Sequence, residues 1–194
     1  HFLYNTLDTI RMSAVMNNDC ETANMVLGLS DFFRKSVTHA KVILLEEEFS
    51  QAESYISLLK LRYSGLHTNI NLAEELRYEE IPGFVLQPLI ENAFLHGLKS
   101  KKCAGTIWVT AEEMSETQYV IIVRDDGIGA SPEVMRRLNQ EVSCRYGQRD
   151  DSVSHIGLGS VSWRLNNFFG ERCHMEVDSQ ESCGFCVKIT ISDL

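Results

Sequence analysis

The sequence has no long run of apolar residues and little proline. Its longest uninterrupted apolar run is the five residues 119–123, whereas a membrane-spanning helix needs about 20. No secretory signal peptide is visible. Three prolines and twelve glycines among 194 residues exclude collagen-like and linker-like classes. With 44% hydrophobic and 23% charged residues, the chain is expected to form one globular domain, or one with a small helical appendage.

Positive charge is also scarce. Lys and Arg total 18 against 27 Asp and Glu, a formal charge of −9, so nucleic acid is not expected as a direct partner. The six cysteines are too sparse for a disulfide scaffold. Cys183 and Cys186 have redox-motif spacing but adjoin an alternating strand, which favours reduced cysteines at a strand start over a thioredoxin-like motif. No second ligand pair for a metal stands out.

Residues 1–40 are predicted to form a helical hairpin. Helical spacing relates Leu3, Leu7, Ile10 and Ala14, and after turn-prone residues 17–19 it relates Met25, Leu29, Phe32, Phe33 and Val37. A hairpin of this size cannot bury its apolar face alone. It must pack on the rest of the chain or on a second copy, and we favour self-association into a four-helix bundle.

The pattern changes after residue 40. Helices are predicted at residues 46–64, 82–97, 132–140 and 157–169, and strands at 68–72, 106–112, 118–124, 173–177 and 185–191. In the second of these helices, Pro82 is expected in the first turn and Gly97 at the C-cap. Residues 141–156 are polar and are expected to form a mobile loop. The fold class is therefore α+β, with the hairpin of 1–40 followed by a sandwich of 41–194 that places helices on one face of a mixed, mostly antiparallel sheet.

Residues 89–97 contain the first of three clusters that could carry chemistry. Glu91, Asn92 and His96 interrupt an apolar helix, and Asn92 and His96 are four residues apart on one face. Such a trio could satisfy the core or form a helix cap as readily as it could bind a ligand.

The other two clusters are rich in glycine. In residues 123–130, a strand runs into Asp125, Asp126 and a Gly-x-Gly sequence, where a carboxylate could accept a hydrogen bond from an exocyclic amine; an ordinary Asp-Gly turn is the alternative. In residues 157–161, Gly-Leu-Gly opens a helix, whose first amides could bind phosphate.

Together and in this order, the three clusters resemble the asparagine box and the two glycine boxes of the GHKL ATPases, which include gyrase, Hsp90, MutL and histidine kinases. No Walker-type motif is present, in agreement with this kind of nucleotide site. The resemblance covers residues 41–194. It implies a Bergerat-type sandwich that binds ATP and Mg²⁺ under a flexible lid formed by residues 141–156.

The start of the chain decides between the relatives. Residues 1–7, His-Phe-Leu-Tyr-Asn-Thr-Leu, and residues 86–93, Leu-Gln-Pro-Leu-Ile-Glu-Asn-Ala, resemble the paired motifs of LytS/YesM-type sensor histidine kinases. The resemblance implies ATP-dependent autophosphorylation on histidine and transfer to a response-regulator aspartate. It also implies a homodimer in the full-length protein. Since the chain starts at His1 without Met, we expect a fragment: the cytoplasmic part of a bacterial inner or plasma membrane sensor whose membrane segments lie outside this chain.

The resemblance also implies roles for single residues. His1 would be the phosphoacceptor, Glu91 the base or the orienter of a Mg²⁺-bound water, and Asn5 the residue that orients water for phosphatase activity. Asn92 would bind Mg²⁺, and Asp125 the adenine amine. The remaining nucleotide-binding residues would be His96, Gly127, Gly129, Gly157, Leu158 and Gly159.

Three positions depart from the family pattern. His155 stands where the second glycine box usually begins with Gly, and Leu95 stands where many relatives have Lys, so His96, Lys99, Arg145 or Arg149 would have to meet the phosphate charge. Phe2 follows His1 where many histidine kinases have an acidic residue. These departures leave open a degenerate module that binds ATP and signals without phosphorylation. A GHKL ATPase of another branch is a third possibility, which the His1 motif argues against.

Overall fold

The structure, a computed structural model, describes residues 2–17, 19–20, 22–23, 25–27, 42–143 and 157–192. The first helix, α1 (Phe2–Met16), confirms the helix predicted at the N-terminus. Of its predicted apolar face, Leu7 and Ala14 are buried, whereas Ile10 is 45% exposed. None of the helices in the described ranges is both long and apolar enough to span a bilayer.

A helix cap follows α1 at the predicted turn. The Asp19 carboxylate accepts hydrogen bonds from the backbone N–H of Thr22 at 3.0 Å and from its hydroxyl at 2.6 Å, which satisfies an otherwise unpaired donor at a helix start. Met25 lies in a helical stretch. The other apolar positions of the predicted second helix, Leu29, Phe32, Phe33 and Val37, lie outside the described residues.

The sandwich contains four α-helices and seven strands among the described residues. The helices are α2 (Leu45–Arg62), α3 (Leu86–Asn92), α4 (Pro132–Ser143) and α5 (Leu158–Phe169). The strands are β1 (Val42–Leu44), β2 (Leu66–Leu72), β3 (Glu80–Pro82), β4 (Gly105–Ser115), β5 (Gln118–Asp125), β6 (Cys173–Ser179) and β7 (Phe185–Ser192). After α3 the chain continues without a break as a π-helical segment, Ala93–Leu98.

Five strands form the main sheet, in the order β2-β4-β5-β7-β6. The β2–β4 pair is parallel, and the other pairs are antiparallel. Four valines lie in register across β4, β5, β7 and β6, namely Val109, Val123, Val187 and Val177. All four are buried. The predicted mixed sheet is thus confirmed, and the separate β1–β3 pair was not predicted.

The helices cover one face of this sheet. Along β4, Ile107 and Val109 are buried, while the alternating residues Trp108 and Thr110 are partly exposed. This is the pattern of a sheet with one covered face. Leu86 and Ile90 of α3 and Leu165 of α5 are fully buried in the same core. The core therefore lies between the helices and the sheet, as the sequence predicts.

Two predicted features of the helix at 82–97 are wrong. Pro82 ends β3 and pairs with Val42, and the helix begins four residues later, at Leu86. Proline is tolerated here because β3 is a short strand with a single partner. Gly97 is not a C-cap but lies inside the π-helical segment.

The predicted loop also begins later than expected. Helix α4 extends to Ser143, so residues 141–143 are helical. The rest of that segment, residues 144–156, lies outside the described residues.

Candidate functional site

A cavity of about 670 Å³ lies between α3, the end of β5, α4 and the start of α5. This volume is in the range of small-molecule sites. Of the residues predicted to form the site, its wall contains Glu91, Asn92, His96, Asp125, Gly129, Gly157 and Leu158. Gly127 and Gly159 are not in the wall, His1 lies outside the described residues, and of Asn5 only the backbone in α1 is described.

Asp125 is a buried acceptor at the bottom of the cavity. It ends β5 and is only 1% exposed. One carboxylate oxygen, Oδ1, accepts a hydrogen bond from the backbone N–H of Gly127 at 2.7 Å. Burial raises the pKa of Asp125 to about 6, although the N–H groups of Gly127 and Phe185 oppose the shift. The carboxylate is therefore ionised at neutral pH and suited to accept a hydrogen bond from a ligand.

Two glycines allow the π-helical segment to approach this strand end. A Cβ on Gly97 would lie 2.4 Å from Asp125 Oδ1, and a Cβ on Gly127 would lie 2.4 Å from the backbone of Gly97. The N–H of Ile128 donates to the Gly97 carbonyl at 3.1 Å. Gly127 therefore packs behind the cavity wall and holds Asp125 in place.

The start of α5 lies against Asn92 in the cavity wall. A Cβ on Gly157 would lie 3.1 Å from Asn92 Nδ2, whereas a Cβ on Gly159 would meet nothing within 4 Å among the described residues. The first intrahelical bond runs from the N–H of Val161 to the Gly157 carbonyl. The preceding N–H groups, which lack intrahelical partners, favour an anion at this end.

Glu91 is oriented by neighbours that sequence reasoning missed. Gln87 Nε2 donates to Glu91 Oε1 at 2.8 Å, and Gln87 itself is buried. From α2, burial raises the pKa of Tyr55 to about 12, and the Glu91 charge adds to the shift, so Tyr55 also lies near this carboxylate. The four-residue spacing of Gln87 and Glu91 was the available signal, because such pairs meet on one helix face.

One positively charged residue of the cavity wall was not predicted from the sequence. Arg137 of α4 lines the wall together with His96. Leu95, in place of the usual Lys, is also in the wall and is 46% exposed. Arg145, Arg149 and His155, proposed from the sequence to meet phosphate, lie outside the described residues.

Comparison with known proteins identifies the family. Residues 80–193 match the family model of histidine kinase-, DNA gyrase B- and HSP90-like ATPases, and residues 1–67 match that of histidine kinases. The chain belongs to the family of histidine kinase-, DNA gyrase B- and HSP90-like ATPases. The predicted resemblance to LytS/YesM-type kinases and the GHKL fold are both confirmed.

Individual relatives agree with the histidine kinase assignment. The chain is 31% identical over 185 residues to the sensor histidine kinase/phosphatase LytS of Staphylococcus aureus, covering 94% of this chain and 31% of that protein. It thus spans about a third of the length of these curated relatives.

Solved structures show the same fold. The histidine kinase domain of the blue-light activated kinase EL346 from Erythrobacter litoralis superposes with a TM-score of 0.55 at 18% identity, over 94% of this chain and 81% of that chain. The mycobacterial sensor histidine kinase MprB superposes with a TM-score of 0.51 at 14% identity, over 78% of this chain and 95% of that chain.

The cavity fits an adenine nucleotide. An ATP-binding domain of this family needs an acceptor for the adenine amine and donors for the phosphates. Asp125 can serve as the acceptor, and the N–H groups at the start of α5 can serve as the donors. In the part of the chain that the structure describes, no three His, Cys, Asp or Glu side chains are arranged to hold a metal ion. The amide oxygen of Asn92 could instead share Mg²⁺ with nucleotide phosphates and water, as Mg²⁺ prefers.

Proposed function

We propose that this chain is the kinase part of a two-component sensor histidine kinase. The supporting observation is that Asp125, Asn92 and the glycine-rich start of α5 surround one cavity in a member of this family. We further propose that residues 1–40 carry the phosphoacceptor and the dimer interface and that 41–194 form the catalytic domain.

The nucleotide lies with its adenine amine on Asp125 and its phosphates toward Gly157, Leu158 and Gly159. Arg137 adds positive charge, and the His96 ring can donate a hydrogen bond to phosphate. Asn92 would hold Mg²⁺ together with the phosphates, and the ion would supply neutralisation of charge during transfer. This arrangement does what phosphoryl transfer requires, because the reaction depends mainly on positioning and electrostatic stabilisation.

In the transfer step, a neutral imidazole nitrogen of His1 attacks the γ-phosphorus of ATP. A nitrogen–phosphorus bond forms, the bond from the γ-phosphorus to the bridging oxygen breaks, and ADP leaves with that electron pair. Glu91, oriented by Gln87, accepts the imidazole proton. The labile phosphoramidate then passes its phosphoryl group to an aspartate of a response regulator, and Asn5 orients water for the phosphatase reaction.

The whole protein is proposed to act as a homodimer at a bacterial membrane, with this chain on the cytoplasmic side. The membrane would be reached through segments that are not part of this chain. The name of the relative LytS includes both kinase and phosphatase, which supports the two activities proposed for His1 and Asn5.

The test is autophosphorylation with γ-labelled ATP. Label is expected on the protein as an acid-labile, alkali-stable adduct, and His1→Gln should abolish it without changing ATP affinity. His67→Gln is the matched control, because His67 is an exposed histidine on β2. Label that persists in His1→Gln would exclude His1 as acceptor. ATP binding with no label in any variant would instead favour a module that binds ATP without phosphorylation.

A further inference from the structure

Two consecutive peptide groups between β3 and α3 lie between a carboxylate and a guanidinium. In the first, the Gly83 carbonyl accepts from Arg164 Nη1 at 2.9 Å, while the N–H of Phe84 donates to Glu48 Oε2 at 3.0 Å. In the second, the Phe84 carbonyl accepts from the same Nη1, while the N–H of Val85 donates to Glu48 Oε1 at 2.6 Å. Glu48 and Arg164 are therefore linked through two peptide groups.

The carboxylate also caps α3. Glu48 is 2% exposed, and its Oε1 accepts a further bond from the N–H of Leu86 at 2.8 Å. These N–H groups at a helix start would otherwise lack partners, and a negative charge is favourable there. Burial raises the pKa of Glu48, while the three N–H bonds and the charge of Arg164 oppose that shift.

The backbone conformation at Phe84 makes the link possible. Phe84 has φ +68°, in the left-handed region that a bulky residue rarely adopts. In this conformation the N–H groups of the two peptides on either side of the Phe84 Cα point toward Glu48, and the carbonyls of the same two peptides point toward Arg164. The Arg164 guanidinium also lies 5.5 Å from the centre of the Phe84 ring. Such a strained residue persists because its surroundings hold it from both sides.

The two helices joined in this way carry adjoining parts of the cavity wall. Helix α3 carries Glu91 and Asn92. On α5, Arg164 lies seven residues, or two turns, beyond Gly157, on the same helix face. The close approach of Gly157 to Asn92 therefore depends on how α5 is set against α3.

We propose that Glu48 and Arg164 are positioning residues for the phosphate end of the nucleotide. They hold the first N–H groups of α5 at a fixed distance from Asn92. The proposal rests on the proposed nucleotide site and adds to it. Adenine recognition should not depend on this link, because Asp125 is carried by β5 and held by Gly97 and Gly127.

The experiment compares the affinities for Mg²⁺–ATP and for adenosine, by calorimetry. In Arg164→Met, Mg²⁺–ATP should bind about tenfold more weakly, the cost typical of losing a supporting contact, while adenosine affinity changes by less than about twofold. Arg164→Lys should restore most of the Mg²⁺–ATP affinity, because one Nζ can donate to both carbonyls, as Nη1 does. Arg77→Met is the matched control, since Arg77 is a surface arginine that bonds Glu46 and Glu74.

Equal weakening of both ligands in Arg164→Met, or no rescue by Arg164→Lys, would overturn the proposal. If Arg164→Met does not fold, Glu48→Gln provides the same comparison and should also weaken Mg²⁺–ATP more than adenosine. A wild-type protein that binds neither ligand would instead reject the proposed nucleotide site, so the two failures are distinguishable.

Discussion

Replacement of Asp125 by Asn should change the pH dependence of stability. Burial raises the pKa of Asp125 from 3.8 to about 6. Between these values the unfolded chain has released the proton and the folded chain retains it. The folded protein therefore binds more protons than the unfolded one, and its stability falls as pH rises through this window. Asp125→Asn cannot titrate and should lack this loss.

The size of the effect follows from the shift. About two pH units correspond to ~3 kcal/mol, and roughly half of that is expected because water in the open cavity screens the charge. The variant also loses some stability by the same amount at every pH, since its amide N–H₂ would face the N–H of Phe185. Only the change with pH isolates the titration. The stability of the variant relative to wild type should therefore rise by about 1.5 kcal/mol between pH 4 and pH 7.

Urea unfolding of both proteins, without nucleotide, measures this difference at half-unit steps of pH. Adenosine binding gives a second readout: the wild-type affinity should fall below pH 6, as the proton competes with the adenine amine, and the variant affinity should be weaker and flat. Parallel stability profiles for the two proteins from pH 4 to 7 would refute a buried, titrating Asp125.

Three other variants test the remaining walls of the site. Asn92→Ala should remove most of the Mg²⁺ dependence of ATP binding, and calorimetry with and without Mg²⁺ checks this. Gly97→Ala should destabilise the fold by about 1–3 kcal/mol, because its Cβ would lie 2.4 Å from Asp125 Oδ1; thermal unfolding measures the loss. Gln87→Leu should lower the autophosphorylation rate about tenfold, with ATP affinity unchanged, because it frees Glu91; an equal loss in rate and affinity would contradict a role in orienting Glu91.

The sequence was sufficient to predict most of the elements and part of the cavity wall. Alternating and helical periodicities reflect which face of each element is buried, so the five strands of the main sheet and the helices that cover it were predicted to within a few residues. The motifs at 89–97, 123–130 and 157–161 lie at ends of elements, and the fold brings these ends together. The resemblance of these motifs to the GHKL boxes is what predicted Asn92, Asp125 and Gly157 in one site.

Features that depend on contacts distant in sequence were missed. The sequence does not distinguish Glu46, Glu47 and Glu48, yet of the three only Glu48 is buried. The backbone N–H groups that it binds come from more than 35 residues further along the chain. Gly97 resembled a helix C-cap, since nothing local shows that Asp125 occupies the space of its missing side chain. Pro82 was placed in a helix because its position suits a first turn as well as a short strand.

The π-helical segment that follows α3 makes the site sensitive to the length of the chain. A π-helical turn contains one residue more than an α-helical turn, so deletion of a single residue within 93–98 would allow regular α-helical hydrogen bonding through this region. The residues on either side of the deletion would keep their orientation about the helix axis, because one full turn is completed in both cases. The wider turn itself would be lost, and the backbone at Gly97, which packs against Asp125 and Gly127, would be drawn back toward the helix axis. A shorter and locally more regular helix would thus lose the contact that holds the adenine acceptor, so engineered or natural variants of this segment should tolerate substitutions more readily than deletions.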